Sequence, residues 1–375
     1  RSTLSSSSAA SDVYKRQRYA IAIPARNEED RIIACLTACA VAMSGWPKPG
    51  VIVLLVNNSE DRTAEGAQAW AAKSGMDIRI VQTVFPLGLA HAGMARRRAL
   101  DLAREIVGSA GYMLTTDADS CPHPDWVRES LSPLTSGRAA MVCGSVSLEA
   151  AEYAQLPADI VRRGDVEARY GETARELTSL LDPDPLNPWP FHGQQSGASL
   201  AMTAQGYERV GGAPLRPCGE DRALVRLFLE HDLPVIYSDA ARVVTSCRIK
   251  GRAAGGMADT IAARIAGDVH LCDETVEPAD TVWLRASLRA RLRGALSSPA
   301  HQAALMAEAG MTVAEIDAAP IFTGFGALWA FVEATAPRLA RHSRMTWDEM
   351  AAEAPRLEAL RDMAAAGGNP EGLRA

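Results

Sequence analysis

From Tyr19 to Thr116 the chain alternates short, largely apolar runs with longer stretches of helical spacing, and this alternation restricts the fold more than any other feature. The apolar runs are Tyr19 to Ile23, ended by Pro24, then Val51 to Val56, Ile78 to Val84 and Tyr112 to Thr116. Helices are expected between them over Glu28 to Met43, Thr63 to Ser74 and about Ala92 to Val107. Strands that are apolar on both faces belong in a sheet covered on both sides, and strand–helix–strand units of this kind make parallel, right-handed crossovers. The expected fold class is therefore α/β, with a mainly parallel central sheet. In such sheets ligands bind beyond the carboxyl ends of the strands. The polar clusters fall there: Arg26 to Glu28 after the first strand, Asn57 to Asp61 after the second, and Asp117 to Asp119 after the fourth.

Past about residue 140 the alternation weakens. Met141–Leu148 and Val235–Val244 read as strands, and residues 183–198, rich in Pro and Gly, read as a long loop. From about Met257 onward the chain is rich in Ala and Arg with helical periodicity, and it closes on a frayed GGNPEGLRA. The first seventeen residues, RSTLSSSSAASDVYKRQ, are serine-rich, lack the apolar core of a signal peptide and join abruptly to the first strand. The expected division is a non-native leader over 1–17, a sheet domain over 18–256 and a helical C-terminal extension over 257–375. No internal repeat is evident.

Composition narrows the functional classes. With 47% hydrophobic and 22% charged residues the chain is ordinary globular protein. A net charge of -6 disfavours general nucleic-acid binding, which depends on neutralising phosphates. Lys15, Lys48, Lys73 and Lys250 are the only lysines, so arginine carries the positive charge, and arginine suits fork-like contacts to phosphate. The seven cysteines show no CxxC spacing and read as reduced, mostly buried thiols of a cytoplasmic protein. Cys35 and Cys39, four apart on a helix, lack the further ligands a metal would need. No apolar run approaches the roughly 18–20 residues that span a bilayer, so no transmembrane segment is expected.

Three constellations can carry chemistry. Asp117-Ala118-Asp119 ends an apolar strand, where two carboxylates two positions apart can converge on one hard cation, Mg²⁺ or Mn²⁺, bound to a diphosphate. The plainer account is turn formation by Asp. Glu220-Asp221 opens the helical stretch RALVRLFLEH. Either carboxylate can serve as a general base toward a sugar hydroxyl, and acidic residues at that place also suit the helix dipole. Pro24-Ala25-Arg26-Asn27-Glu28-Glu29 and Val56-Asn57-Asn58-Ser59 occupy adjacent loops, where amides and a carboxylate can recognise a nucleobase and ribose. They can equally do no more than end strands and open a helix.

Taken together these pieces resemble the family 2 glycosyltransferases of GT-A fold, over about Arg18 to Gly256. The resemblance is carried in order by AIPARNEE, VNNSEDRTA, GLAHAGMARRRALDLA, TTDADSCPHPDW, FHGQQSGASLAMTAQGYERVGG, CGEDRAL and VVTSCRIKGRAAGG. It implies a GT-A type nucleotide-binding sandwich and a nucleotide-diphosphate-sugar donor. It also implies Asp119 as metal ligand, Asp117 near ribose or metal, and Asp221 as the base of an inverting displacement. Pro24, Ala25, Arg26, Glu28 and Asn58 would surround the nucleoside. Where many members place an acidic residue against the base, this chain has Asn57 or Asn58. A UDP-sugar is expected ahead of a GDP-sugar, with the acceptor unassigned. The membrane helices and QxxRW motif of the processive synthases are absent, which implies transfer of a single sugar.

Six further positions complete the expectations. Arg248 and Arg252 lie where a loop can close on the diphosphate, or can simply be solvated. His270 is a candidate third metal ligand, and His192 in NPWPFHG reads first as a hydrogen-bonded structural histidine. Trp126 and Trp189 read as packing residues. The region from 257 onward can cover the acceptor site, form a homodimer interface or cap the sheet. Two other functional classes stand beside the first. A sugar-phosphate nucleotidyltransferase would be expected to carry a glycine-rich loop in place of Pro24-Ala25-Arg26-Asn27. A non-catalytic nucleotide-sugar binder would be expected to lack Asp119 or Asp221.

Overall fold

The computed structural model describes residues 18–249, 251, 255–267, 271–340 and 343–368. The expected leader, Arg252 and His270 lie outside the described residues. In chain order the elements are β1 (Tyr19–Ala25), α1 (Ile32–Ser44), β2 (Gly50–Asn57), α2 (Thr63–Ser74), β3 (Ile78–Thr83), α3 (Ala92–Val107), β4 (Tyr112–Thr115), β5 (Ser120–Pro122), α4 (Trp126–Thr135), β6 (Met141–Leu148), α5 (Ala150–Tyr153), α6 (Ala158–Leu181), β7 (Leu200–Thr203), α7 (Ala204–Arg209), α8 (Glu220–Glu230) and β8 (Val235–Thr245). Six helices follow: α9 (Met257–Ala266), α10 (Ala279–Gly294), α11 (Pro299–Glu308), α12 (Val313–Asp317), α13 (Phe325–Thr335) and α14 (Trp347–Ala365). Two compact units result. One takes residues up to Ala154 with Gln194–Phe228 and Leu233–Asp259; the other takes Gln155–Gly193, Leu229–Asp232 and Thr260 onward.

The first unit is a mixed α/β structure built on an eight-stranded sheet of order β3-β2-β1-β4-β7-β6-β8-β5. Strands β3, β2, β1 and β4 run parallel to one another, as do β6 and β8. Strand β7 runs antiparallel to both of its neighbours, and β5 antiparallel to β8. The apolar runs become central strands because both faces are covered. Tyr19, Ile21 and Ile23 pack with Ile32, Cys35, Leu36 and Cys39 of α1. Ala20 and Ala22 point the other way, among Ala95, Ala99, Leu100 and Ala103 of α3. Each fully buried Ile or Leu contributes about 1.5–3 kcal/mol relative to exposure, so the sheet is fixed chiefly by this two-sided burial.

The differences from the sequence reading have local causes. Strand β1 runs through Pro24, which pairs with Leu55, and ends at Ala25. The β4 ladder stops at Ala22↔Thr115, so Pro24 has a strand neighbour on the β2 side only and its missing N–H interrupts no ladder toward β4. The first helix begins at Ile32 rather than Glu28, because Asn27 takes a left-handed φ of 53° and residues 29–31 form a turn. Strands β5 and β7 and the helix α6 were not anticipated. The first two have only three and four residues, too few for periodicity to register. The 24-residue α6 buries only Ile160, Tyr170 and Leu177, so it has almost no apolar stripe to read.

The second unit is helical. Tyr170 and Leu177 of α6 pack with Val282 of α10 and with Met350, Leu357 and Leu360 of α14. A second cluster joins Leu288 and Leu292 of α10 to Leu305 of α11 and to Leu328 and Val332 of α13. Capping boxes at Thr312/Glu315 and Thr346/Glu349 fix the starts of α12 and α14. Asp182, buried, holds Arg289 and Arg293 at 2.7 and 3.1 Å. No helix among the described residues is long and apolar enough to cross a membrane.

Candidate functional site

The carboxyl ends of β1, β2 and β4 converge on a cavity of about 340 Å³ in the first unit. Its walls include Pro24, Ala25, Arg26, Glu28, Asn57, Asp117, Asp119 and Arg248. Eight of the positions singled out in the sequence are thus brought to one place. Asn58, Glu220 and Asp221 do not line it.

The loops after β1 and β2 are stitched together. The Asn27 amide donates to Ser59 Oγ at 3.0 Å, and the Glu60 amide donates to Asn27 Oδ1 at 2.8 Å. The Glu28 amide donates to Thr63 Oγ1 at 2.7 Å, and the Glu29 amide to Asp61 Oδ2 at 3.0 Å. Asn58 spends its side chain on the backbone after β3: its amide group donates to Phe85 O at 3.0 Å and its carbonyl accepts from Phe85 N at 3.1 Å. Asn58 also sits at φ 47°, a left-handed conformation that Asn tolerates better than most residues. Its observed work is to shape the loop. Asn57, by contrast, is a buried wall of the cavity, and Arg26 reaches Ala90 O at 3.5 Å.

The two aspartates after β4 have different partners. Asp119 accepts from Arg248 at 3.1 Å, and the same guanidinium donates through both terminal nitrogens to the buried Glu28 carboxylate. Burial first, and then the nearby Asp117 carboxylate, push the Asp119 carboxyl up from 3.8 to about 6, against the pull of Arg248. Burial opposes the charge on Arg248, but Glu28 and Asp119 more than offset it and raise its pKa. Asp117 instead accepts from Arg96 Nη2 at 2.8 Å. Arg96 also donates from Nε to Glu220 Oε1 at 2.8 Å, and from Nη1 to Thr115 Oγ1 and Gly197 O, each at 3.1 Å.

Glu220 is therefore a buried charge partner of Arg96. Asp221, one residue on, accepts from the Gly197 amide at 2.9 Å and from the Arg222 amide at 2.8 Å. Gly197 is sterically required, because a Cβ there would stand 2.3 Å from Arg96 Nη2. Trp126 is fully buried and donates to Ser199 Oγ at 2.9 Å, a packing role. His192 and Trp189 belong to the second unit.

Arg96 escaped the sequence reading as an individual residue, although a signal existed. It lies in the α3 stretch whose buried positions include Ala95, Ala99, Leu100 and Ala103, so a charged side chain falls on the apolar face. A charge in that place must be paired. Among the described residues no three His, Cys, Asp or Glu side chains form a metal-binding group. Asp117 and Asp119 form a two-carboxylate, all-oxygen pair, and oxygen ligands suit a hard divalent ion. Burial and, after it, the Asp117 carboxylate disfavour the charged form of Asp119 even with Arg248 beside it, and a cation bound there would relieve both.

Residues 20–171 match the profile of the family described as Glycosyl transferase family 2. That segment is a family 2 glycosyltransferase segment, as its motifs led us to expect. Among solved structures it is similar to glucosyl-3-phosphoglycerate synthase from Mycobacterium tuberculosis with Mg²⁺ and UDP, at 18% identity and a TM-score of 0.41 over 72% of this chain and 84% of that one. It is similar also to S. aureus TarS 1–349 with UDP, at 12% identity and 0.45, over 94% of this chain and 92% of that one. Mannosyltransferase PcManGT from Pyrobaculum calidifontis, with GDP-Man and Mn²⁺, gives 14% identity and 0.44, over 94% and 74%. These distant likenesses define neither donor nor acceptor for this chain. No curated protein matches it.

Proposed function

We propose that the chain transfers a single sugar from a nucleotide-diphosphate sugar to an acceptor hydroxyl, with inversion at the anomeric carbon and with Mg²⁺ or Mn²⁺ as cofactor. The observation that carries this reading is the convergence of Asp117 and Asp119 with the loops after β1 and β2 on one cavity, within a family 2 segment. Pro24, Ala25, Arg26 and Asn57 are assigned to the nucleoside, with UDP tested ahead of GDP. Glu28 serves the same wall by holding Arg248. Asn58 contributes by bracing the loop after β3.

Asp119 and Asp117 would hold the metal ion, which supplies neutralisation of the diphosphate's developing charge. Arg248 lies against Asp119 and can turn its guanidinium to the phosphates once Asp119 is otherwise occupied. Arg252 and His270 keep their expected roles as donor and metal contacts only as expectations, since they lie outside the described residues. Asp221 is assigned as the base that takes the acceptor proton. The Gly197 and Arg222 amides orient its carboxylate, and a base held in one orientation needs no rearrangement when the hydroxyl arrives. Glu220 supports the site through Arg96. The transfer breaks the bond from the anomeric carbon to the diphosphate oxygen and forms the bond to the acceptor oxygen, whose proton passes to Asp221.

The test is a panel of nucleotide sugars screened for Mn²⁺-dependent thermal stabilisation, followed by product analysis with the donor that stabilises most. Asp221→Asn is expected to leave donor binding intact while slowing turnover by about a hundredfold or more. An α-linked donor is expected to give a β-linked product, read from the anomeric proton coupling. An α-linked product would overturn the inverting mechanism and the role of Asp221 with it.

A further inference from the structure

We infer that Arg96 is a positioning residue that ties the Asp117-Ala118-Asp119 turn to the Glu220-Asp221 pair, so that the donor side and the acceptor side of the site are set by one buried guanidinium. The inference rests on the glycosyltransferase reading for its consequence, but on geometry alone for the coupling itself. Glu220 stands 103 positions after Asp117 in the chain (220 minus 117), and the β4–β7 ladder, which ends at Thr115↔Leu200, brings the Asp117 and Gly197 loops to one end of the sheet. Arg96 joins Asp117 to Glu220 there through hydrogen bonds of 2.8 Å to each.

The remaining nitrogen of the fork is equally committed. Arg96 Nη1 donates to Thr115 Oγ1, at the end of β4, and to Gly197 O. The amide of the same Gly197 donates to Asp221 Oδ2. A continuous path of hydrogen bonds therefore runs from Asp117 through Arg96 and Gly197 to Asp221. Planar, fixed donor directions are the property of arginine that lysine lacks, and a charged group this deeply buried persists only where its donors are met. Gly197 completes the device, because any side chain there would collide with the guanidinium. Asp117 keeps a third of its side-chain surface exposed toward the cavity, whereas Arg96, which also borders the cavity, is only 6% exposed, and Glu220 does not line it. The ligand-facing atoms thus belong to Asp117, and Arg96 acts behind it.

The experiment uses two isosteric substitutions, Asp117→Asn and Glu220→Gln, singly and together in the full chain. Mn²⁺-dependent UDP binding is measured by calorimetry and stability by thermal melts. Glu220 does not line the cavity, yet Glu220→Gln is expected to weaken UDP binding by about fivefold or more, because it releases the Arg96 fork that sets Asp117. The double variant is expected to be scarcely worse than Asp117→Asn alone, and the melts to be non-additive in the same sense. UDP affinity unchanged within about twofold in Glu220→Gln, or effects that add across the pair, would overturn the coupling. A wild-type chain that binds no nucleotide of the panel would overturn the functional reading instead, and the melts would still decide the coupling. Arg96→Lys supplies the final readout. It keeps the charge and loses the fork, and it is expected to fold while reproducing the Glu220→Gln binding defect. Wild-type UDP affinity in Arg96→Lys would show that charge alone suffices and that no positioning by the fork occurs.

Discussion

Two arginines hold the two aspartates that follow β4, and they hold them differently. Both arginines border the cavity, but the Arg96 side chain is only 6% exposed and is bonded to Asp117, Glu220, Thr115 and Gly197. Arg248 stands in the wall of the cavity, its side chain 20% exposed, and it spans Glu28 and Asp119. The first is part of the frame. The second occupies ground that a cation and a diphosphate would also claim, with water close by to solvate whatever it releases. Burying a guanidinium with all three nitrogens bonded fixes neighbouring carboxylates in place, whereas a more exposed one keeps the site's charge balanced and still displaceable.

The contrast breaks most visibly on deletion of the buried partner. Arg96→Met strands Asp117 and Glu220 with no cation between them, and removing one member of a buried ionic group typically costs about 3–5 kcal/mol. Urea unfolding is expected to show a loss of that order, partly restored in Arg96→Met/Glu220→Gln. A loss below about 1 kcal/mol would mean that water reaches the cluster and that Arg96 is not structural frame.

Asp119 gives an effect of opposite sign. Its carboxyl is pushed from 3.8 up to about 6 by burial and by Asp117, so the folded state binds a proton more tightly than the unfolded state does. This proton-linked stability is fully present below the unfolded value and is lost as the pH rises through about 6. Asp119→Asn removes the penalty. Without metal the variant is therefore expected to be more stable than wild type at pH 7.5, by up to about 3 kcal/mol, and to lose that advantage as the pH falls toward 4. A gain that is independent of pH would place its origin elsewhere. The same substitution is expected to remove metal-dependent donor binding, so one residue sets stability against function.

Gly197→Ala tests the frame from its other side. The new methyl group would stand 2.3 Å from Arg96 Nη2, and relief requires shifting the guanidinium or the loop, at a cost of about 1–3 kcal/mol. Because the Gly197 amide orients Asp221, turnover is expected to fall more than donor binding does. Wild-type turnover in a destabilised Gly197→Ala would sever the loop from the catalytic assignment.

How far the sequence disclosed all this depends on the kind of signal. The strands β1, β2 and β4 were legible because burial on both faces writes a continuous apolar run. Strand β3, at the sheet edge with no buried residue, showed only Ile78, Ile80 and Val81. The cavity followed because polar clusters at strand ends have few other places to go. Pro24, Ala25, Arg26, Glu28, Asn57, Asp117 and Asp119 were named for that reason and are gathered there, together with Arg248 from the loop expected to close on the diphosphate. Asn58 was expected beside the nucleoside, and its bond to Phe85 was not foreseen, because a side chain's choice between ligand and backbone leaves no mark on spacing. Arg96 stood in a quoted segment without being singled out. Its partners lie 19, 21, 101 and 124 positions away, and pairing over such distances is a property of the fold. Helix α6 was missed because a helix with three buried side chains shows no stripe.

The smallest expected effect on stability falls on Arg248, and it sharpens the comparison most. Arg248→Met removes a guanidinium from a wall that faces the cavity. Asp119 can recover water there but the buried Glu28 loses its charge partner, so a loss of about 1–2 kcal/mol is expected, smaller than for Arg96→Met. Binding is where it should register, and in two directions. Without nucleotide, Arg248 competes with a divalent ion for Asp119, since both offer positive charge to one carboxylate. Relieving that competition is expected to tighten Mn²⁺ binding by about tenfold, the equivalent of roughly 1.4 kcal/mol, a small share of the interaction between unit charges at this separation. With UDP present the guanidinium is assigned to the phosphates, so its loss is expected to weaken nucleotide binding. Paramagnetic titration of Mn²⁺ with and without UDP separates the two directions in one experiment. If Mn²⁺ alone binds Arg248→Met no better than wild type, Arg248 does not stand in for the ion. It would then belong with Arg96 as fixed frame, and the distinction between a matched, buried guanidinium and a displaceable one would fail at this site.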